Sequence, residues 1–329
     1  MGAGSWGTVF AKVLADAGCE VTVWGRRQDV VEAINDRHEN PDYLPGVTLP
    51  ARVRATTDPT EAIAGAEFVA LAIPSQTLRI NLSQWTSLLP PDAVMISLMK
   101  GIELGTGMRM SEVIGEVTDV PAERVAVVCG PNLAMEIARG EPSAAVAAYA
   151  DEETAQRVQA ACMTPYFRVY TSTDVVGCEL GGAVKNVIAL CAGIATGLGF
   201  GDNTRAMLMT RGLAEITRLG MALGADEHTF AGLAGLGDLI GSCISPLARN
   251  RTFGENLGRG MSLNQAIAVT KQTAEGVKSS EAVLELARKH DVEMPITEVV
   301  ASVIHHGMSI HDATIALMTR SPKPERYGV

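Results

Sequence analysis

Along the first half of the chain, short apolar runs alternate with stretches of helical periodicity. Val21–Trp24, Phe68–Ile73, Val94–Leu98, Val125–Val128, Ala144–Ala148 and Phe167–Tyr170 read as strands. Several are almost free of polar residues, the pattern of strands buried on both faces of a parallel sheet. Thr8–Ala17, Gln76–Leu88 and Thr154–Cys162 carry helical spacing between them. Such alternation predicts a doubly wound α/β sheet. From about Thr173 the strand signals stop. Helical periodicities follow over Asp174–Thr196, Asn203–Leu223, Ser262–Val269, Ser279–His290, Ile296–His306 and His311–Met318, with Gly224, Gly235, Gly237, Gly258, Gly260, Pro246 and Pro295 marking the breaks. The pattern therefore predicts α/β plus all-α: a sheet domain over 1–172 and a helical domain over 173–329. The proline-containing tail Ser321–Val329 is expected to be poorly ordered.

The chain opens on Gly2-Ala3-Gly4-Ser5-Trp6-Gly7, a G-x-G-x-x-G turn. In the Rossmann-type mechanism the first glycine permits the tight turn. The second lets the backbone approach a pyrophosphate, and the third lets the following helix pack against its strand. The helix start then offers free N–H groups and a positive dipole end to phosphates. A helical run, Gly18 and the strand Cys19–Trp24 follow, as the mechanism requires. The strand that should precede Gly2 is represented by Met1 alone, so the first strand is expected to be truncated, through a shortened chain or a misplaced start.

Composition narrows the class. The 329 residues are 47% hydrophobic and only 4% aromatic, which points to a close-packed aliphatic interior in two domains. A net charge of −10 argues against general affinity for nucleic acid. Any phosphorylated ligand must be held by local cations against that field. Six scattered cysteines without a C-x-x-C pair read as reduced thiols of a cytoplasmic protein. No signal peptide or 18-residue uncharged apolar run is visible, so no membrane insertion is expected. Val187–Phe200 is the most apolar stretch and reads as a buried helix. His305, His306 and His311 lack metal-ligand spacing, and no metal is expected.

Candidate chemistry sits in four places. Gly25-Arg26-Arg27 ends the second strand of the dinucleotide unit, where an NAD enzyme carries an acidic residue. Two guanidiniums there suit a 2′-phosphate, so NADP(H) should be accepted. Lys100 stands just past a buried strand, at the edge where open sheets bind ligands. Lys185 lies inside an apolar, glycine-rich helix. Burying an ammonium is costly, and desolvation lowers its pKa towards the range of a usable acid/base. Glu179, six residues earlier, lies off its face. Asp238, in the apolar stretch Gly235–Ile240, is a carboxylate able to orient Lys185. Arg249-Asn250 opens a helix and suits a phosphate, through a guanidinium fork and helix N–H groups. Arg251 is a further candidate there.

Together these motifs resemble the bacterial NAD(P)-dependent glycerol-3-phosphate dehydrogenase family. The likeness runs through nearly the whole chain: the Gly2–Gly7 turn, Asn40-Pro41-Asp42-Tyr43-Leu44-Pro45-Gly46, Lys100-Gly101, Gly130-Pro131-Asn132-Leu133-Ala134, Glu179 to Val187, Gly235 to Ile240, Arg249-Asn250 and Glu275-Gly276-Val277. The resemblance implies reversible reduction of dihydroxyacetone phosphate to sn-glycerol 3-phosphate with NADP(H) or NAD(H). It implies a role in glycerophospholipid synthesis and a homodimer. It assigns Ser5, Trp6, Arg26, Arg27, Tyr43, Lys100, Ala134, Arg249 and Glu275, beside Gly2, Gly4 and Gly7, to the cofactor. It assigns Lys100, Gly130, Asn132, Lys185, Asp238, Arg249 and Asn250 to the substrate. Lys185 would be the proton donor and acceptor, with Lys100 and Asp238 beside it. Ala248 departs from the serine that members often carry before the Arg-Asn pair, which removes one candidate hydrogen bond to substrate. Competing readings are another dehydrogenase of the β-hydroxyacid or ketopantoate type, and a non-catalytic NADP(H) sensor.

Overall fold

The computed structural model describes residues 1–121, 124–270 and 274–325. Two compact units form: Met1–Met99 with Met110–Val175, and Lys100–Arg109 with Val176–Val329. A single cut at 172/173 therefore misses one excursion, in which Lys100–Arg109 leaves the first unit and belongs to the second. Its anchors are Ile102, fully buried in the second unit's core, and Arg109, whose Nη1 lies 2.7 Å from Glu179 Oε2.

In the first unit the elements run α1 (Ser5–Asp16), β1 (Val21–Trp24), α2 (Gln28–Arg37), β2 (Glu39–Asn40), β3 (Leu44–Thr48), β4 (Val53–Thr56), α3 (Pro59–Ile63), β5 (Phe68–Leu71), α4 (Leu78–Trp85), β6 (Val94–Ser97), α5 (Met110–Thr118), β7 (Val125–Cys129), α6 (Ala134–Ala138), β8 (Ser143–Ala148), α7 (Glu152–Cys162) and β9 (Phe167–Ser172). All six expected strands form. β5 to β9 lie side by side in chain order, and β1 pairs in parallel with β4 in a separate piece. Met1 and Gly2 stand where a first strand would. The Met1 amine donates to the Ala70 carbonyl at 2.7 Å, Ala72 N–H donates to the Met1 carbonyl, and Gly2 N–H donates to the Trp24 carbonyl. These two residues bond to the β5 segment on one side and to β1 on the other.

The sheet departs from a purely parallel one. β8 runs antiparallel to β7, with Val128 opposite Ala147, although β8 and β9 are parallel to each other. An apolar run buried on both faces carries no mark of its direction, so the pattern could not reveal this. Nor did it predict β4 or the antiparallel hairpin of β2 and β3. The helix expected over Gln76–Leu88 is α4 flanked by tight 3-10 turns, Ser75–Thr77 and Thr86–Leu88.

The second unit is helical: α8 (Val175–Gly197), α9 (Asp202–Ala222), α10 (Glu227–Ala231), α11 (Asp238–Ile244), α12 (Arg249–Gly258), α13 (Leu263–Val269), α14 (Glu275–Lys289), α15 (Pro295–His305) and α16 (Ile310–Met318), with a π-helical turn, Leu233–Gly237, entering α11. Among the described residues α8 alone is long and apolar enough to cross a membrane, yet 94% of its most apolar window is buried inside the protein. It is the central helix of this core, with Val184, Val187 and Ile188 sealed from solvent. α12 lies directly against it. A Cβ on Gly193 would stand 2.0 Å from the Arg251 carbonyl oxygen, and one on Gly254 would stand 2.1 Å from that of Leu190. Only glycine permits that approach, which fixes the start of α12 relative to Lys185. Part of the tail is tied down: Lys323 Nζ lies 2.6 Å from Glu293 Oε2, and Arg211 donates to the Glu325 carbonyl. Residues 326–329 lie outside the described residues.

Candidate active site

In the second unit, three charged residues converge from three elements. Asp238 opens α11 and is only 2% exposed. Its Oδ2 lies 2.6 Å from Lys100 Nζ and its Oδ1 lies 3.0 Å from Lys185 Nζ. One carboxylate thus bridges two ammoniums. Burial alone would raise the Asp238 carboxyl, but Lys100 and Lys185 outweigh it and hold its pKa below the ordinary value. Burial lowers Lys185 from 10.5 to about 8, with Lys100 adding to the fall and Asp238 opposing it. Lys185 also donates to Ser242 Oγ at 2.6 Å. Glu179 pairs with Arg109 and not with Lys185. With both lysines protonated the triad carries a formal +1. Such a group can give up a proton near neutrality and keep a cation beside the place it left.

The start of α12 is wired to the same cluster. Asn250 Nδ2 donates to Asn186 Oδ1 at 2.9 Å, Gly276 N–H donates to Asn250 Oδ1 at 3.0 Å, and Asn186 Nδ2 donates to the Lys100 carbonyl at 3.3 Å. Asn250 thereby joins the segment carrying Lys185 to the first turn of α14, where half-buried Glu275 sits. Arg249 stands exposed at the first position of α12. Arg251 pairs with Glu255 at 2.9 Å, so its guanidinium is engaged within its own helix.

Ser242 and Asn186 were not singled out from the sequence. Neither type signals chemistry alone. The i, i+4 spacing of Asp238 and Ser242 on one helix was the available clue for the first, and adjacency to Lys185 for the second.

The first unit holds Gly2, Gly4, Ser5, Trp6, Gly7, Arg26, Arg27, Tyr43, Gly130, Asn132 and Ala134. Gly2 takes φ +113°, and a Cβ on Gly7 would lie 2.1 Å from the Gly2 carbonyl oxygen. Gly4 is the N-cap of α1, with no side-chain capping bond and no acidic residue in the first turn. A Cβ at Gly4 would meet nothing within 4 Å, so the approach to this helix start is open. Trp6 Nε1 is buried without a hydrogen-bond partner, as are both side-chain polar atoms of Asn132. Gly130 ends β7 at φ +127°, and Ala134 opens α6. Half-buried Tyr43 lies in the β2–β3 turn. Arg26 and Arg27 are exposed at the start of α2, and Arg27 is hydrogen-bonded to Asp29 and Asp42. An uncapped helix start behind an open glycine, orphaned donors and exposed guanidiniums fit a dinucleotide's phosphates. Among the described residues no cluster of three or more His, Cys, Asp or Glu has metal-binding geometry.

Known proteins resemble this chain in sequence and in fold. The family described as NAD-dependent glycerol-3-phosphate dehydrogenase N-terminus matches residues 1–155, and its C-terminus counterpart matches 174–315. A protein of Streptomyces griseus named glycerol-3-phosphate dehydrogenase, NAD(P)+, is 67% identical over 325 residues, 99% of this chain and 97% of that one. One of the same name from Thermobifida fusca is 64% identical over 330 residues, 100% of this chain and 98% of that one. The crystal structure of glycerol-3-phosphate dehydrogenase from Coxiella burnetii superimposes with a TM-score of 0.91 at 34% identity, covering 97% of each chain. By sequence and by fold, this chain belongs to the NAD-dependent glycerol-3-phosphate dehydrogenase family.

Proposed function

We propose that the chain reduces dihydroxyacetone phosphate reversibly to sn-glycerol 3-phosphate with NADPH or NADH. In this reading it works as a cytoplasmic homodimer that supplies glycerophospholipid synthesis. The observation that carries the reading is the Lys100–Asp238–Lys185 triad within a member of this family. The bound nicotinamide supplies or accepts the hydride. As hydride reaches the carbonyl carbon, negative charge grows on its oxygen, and the Lys100 ammonium offsets that charge. Lys185, poised at about 8, releases its proton to the oxygen in reduction and recovers it in oxidation. Asp238 holds both ammoniums in place, and Ser242 fixes the direction of the Lys185 Nζ. Arg249 and Asn250 hold the substrate phosphate, and Gly130 and Asn132 line the substrate. The Gly2–Gly7 turn, Ser5, Trp6, Arg26, Arg27, Tyr43, Ala134 and Glu275 hold the dinucleotide.

The test is loss of reduced-nicotinamide absorbance on adding dihydroxyacetone phosphate, run with NADPH and NADH side by side. Substrate-dependent oxidation is expected with at least one of them. A protein that binds NADPH but oxidises neither NADPH nor NADH faster when dihydroxyacetone phosphate is added would overturn the substrate assignment.

A further inference from the structure

The β2–β3 hairpin reaches two parts of the cofactor region at once. Asn40 is fully buried. Its Nδ2 donates to the Ala3 carbonyl at 3.0 Å, inside the glycine turn, and to Thr8 Oγ1 at 2.8 Å, in α1. This ties the hairpin to the turn. Two residues further, Asp42 Oδ2 lies 2.6 Å from Arg27 Nη1. Asp29 grips the same guanidinium through Nε at 3.0 Å and through Nη2. Arg26, its neighbour, is exposed and makes no ion pair among the described residues.

The two arginines are therefore unequal. A 2′-phosphate approaching Arg26 meets a cation alone, whereas one approaching Arg27 meets a fork already occupied by two carboxylates. A dianion there is repelled by each carboxylate as well as attracted by the guanidinium. A ribose without the phosphate has the opposite preference, because its hydroxyls donate to carboxylates. Asp29 sits exposed in the first turn of α2, whereas Asp42 lies two residues from the buried Asn40 anchor. We propose that Asp42 is a cofactor-selectivity residue, holding back the 2′-phosphate by occupying Arg27 and accepting from the ribose hydroxyls of the unphosphorylated dinucleotide. The inference rests on the cofactor reading above.

The test is equilibrium titration of NADPH and NADH against the protein without substrate, followed by reduced-nicotinamide fluorescence, for the natural chain and Asp42→Asn. Removing one carboxylate charge near a phosphate should tighten NADPH about tenfold and loosen NADH a few-fold. The NADPH gain should shrink at high salt, because these groups are exposed. Arg26→Ala should do the reverse, losing NADPH selectively. A ratio unchanged in Asp42→Asn overturns the proposal, whether both affinities stay or both move together. Failure of the natural chain to bind either dinucleotide overturns instead the cofactor reading on which the proposal rests.

Discussion

The two units prepare for their ligands in opposite ways. In the first, polar groups are left incomplete: α1 starts without a cap, and Trp6 Nε1 and both polar atoms of the Asn132 side chain are buried without partners. In the second, the ionic groups are buried and already paired, two lysines on one aspartate. Incomplete hydrogen bonding favours a ligand that brings its own acceptors, as a dinucleotide's phosphates do. Paired, desolvated charges favour a step in which charge changes hands, because their geometry is set before the reaction begins. The difference teaches where binding and chemistry separate, and substitutions in each unit should separate them experimentally.

The largest expected effect tests the helical unit. Lys185→Ala removes the group proposed to transfer the proton and leaves Asp238 bound to Lys100. Turnover should fall about 10³-fold, while the Kd for NADPH by fluorescence titration changes little. If cofactor binding were lost as well, the chemistry would not be confined to the helical unit's charges. The mirror experiment is Gly7→Ala. The new Cβ would lie 2.1 Å from the Gly2 carbonyl oxygen and 3.0 Å from the Ala72 Cβ, so the phosphate turn must shift. Binding of NADPH and NADH should weaken together by roughly 100-fold. The Lys185 pH dependence should be untouched in whatever activity remains.

That pH dependence is the next effect in size. Lys185 is lowered to about 8, chiefly by burial. Reduction needs the ammonium, so its kcat should hold below that pH and fall about tenfold per unit above it. Oxidation needs the neutral amine, so its kcat should rise through the same range. Asp238→Asn removes the charge that opposes the fall, and the midpoint should move further down. A midpoint unmoved by that substitution would assign the titration to another group.

Legibility in the sequence followed the same division. β6, β7 and α8 were plain because a run of apolar residues can only be buried. Lys185 was conspicuous because an ammonium inside such a run demands an explanation. The glycine turn was readable because its function is backbone shape, which spacing alone encodes. What could not be read was pairing. Lys100 and Asp238 stand 138 residues apart in sequence, and no local pattern says that their side chains meet. Asn186 and Ser242 are ordinary residues until the fold places Lys100, Lys185 and Asn250 against them. The antiparallel β8 escaped because Ala144–Ala148 has the same composition in either direction. The short helices α10 and α11 escaped because Gly232, Gly235 and Gly237 break the periodicity before it can be recognised, whereas the start of α12 at Arg249 was legible. The Arg26-Arg27 pair was visible, but the carboxylate from the hairpin that occupies Arg27 was not.

The smallest expected effect concerns the one point where the two units behave alike. α3, α7, α10, α13 and α16 each begin on an Asp or Ser whose side chain accepts from the first turn. α1 and α12 are among the helices that do not, with α2, α4, α6, α9, α11, α14 and α15; they begin on Gly4 and Ala248, and these two starts are the ones proposed to meet phosphates. A side-chain cap would satisfy N–H groups that a ligand otherwise meets. Ala248→Ser separates the two uses. Ala248 has the extended N-cap geometry, φ −79° and ψ 111°, so a serine can accept from the α12 first turn without strain. That should add about 1 kcal/mol and raise the Tm by roughly 2–4 °C. The same hydroxyl still has its proton to donate, and a phosphate held by Arg249 is the natural acceptor. The KM for dihydroxyacetone phosphate should then fall by about 2- to 5-fold, the worth of one added hydrogen bond. A raised Tm with a raised KM would mean that the cap competes with the phosphate for the same N–H groups. In that case the bare start of α12 is itself part of the phosphate site, as the bare start of α1 is proposed to be.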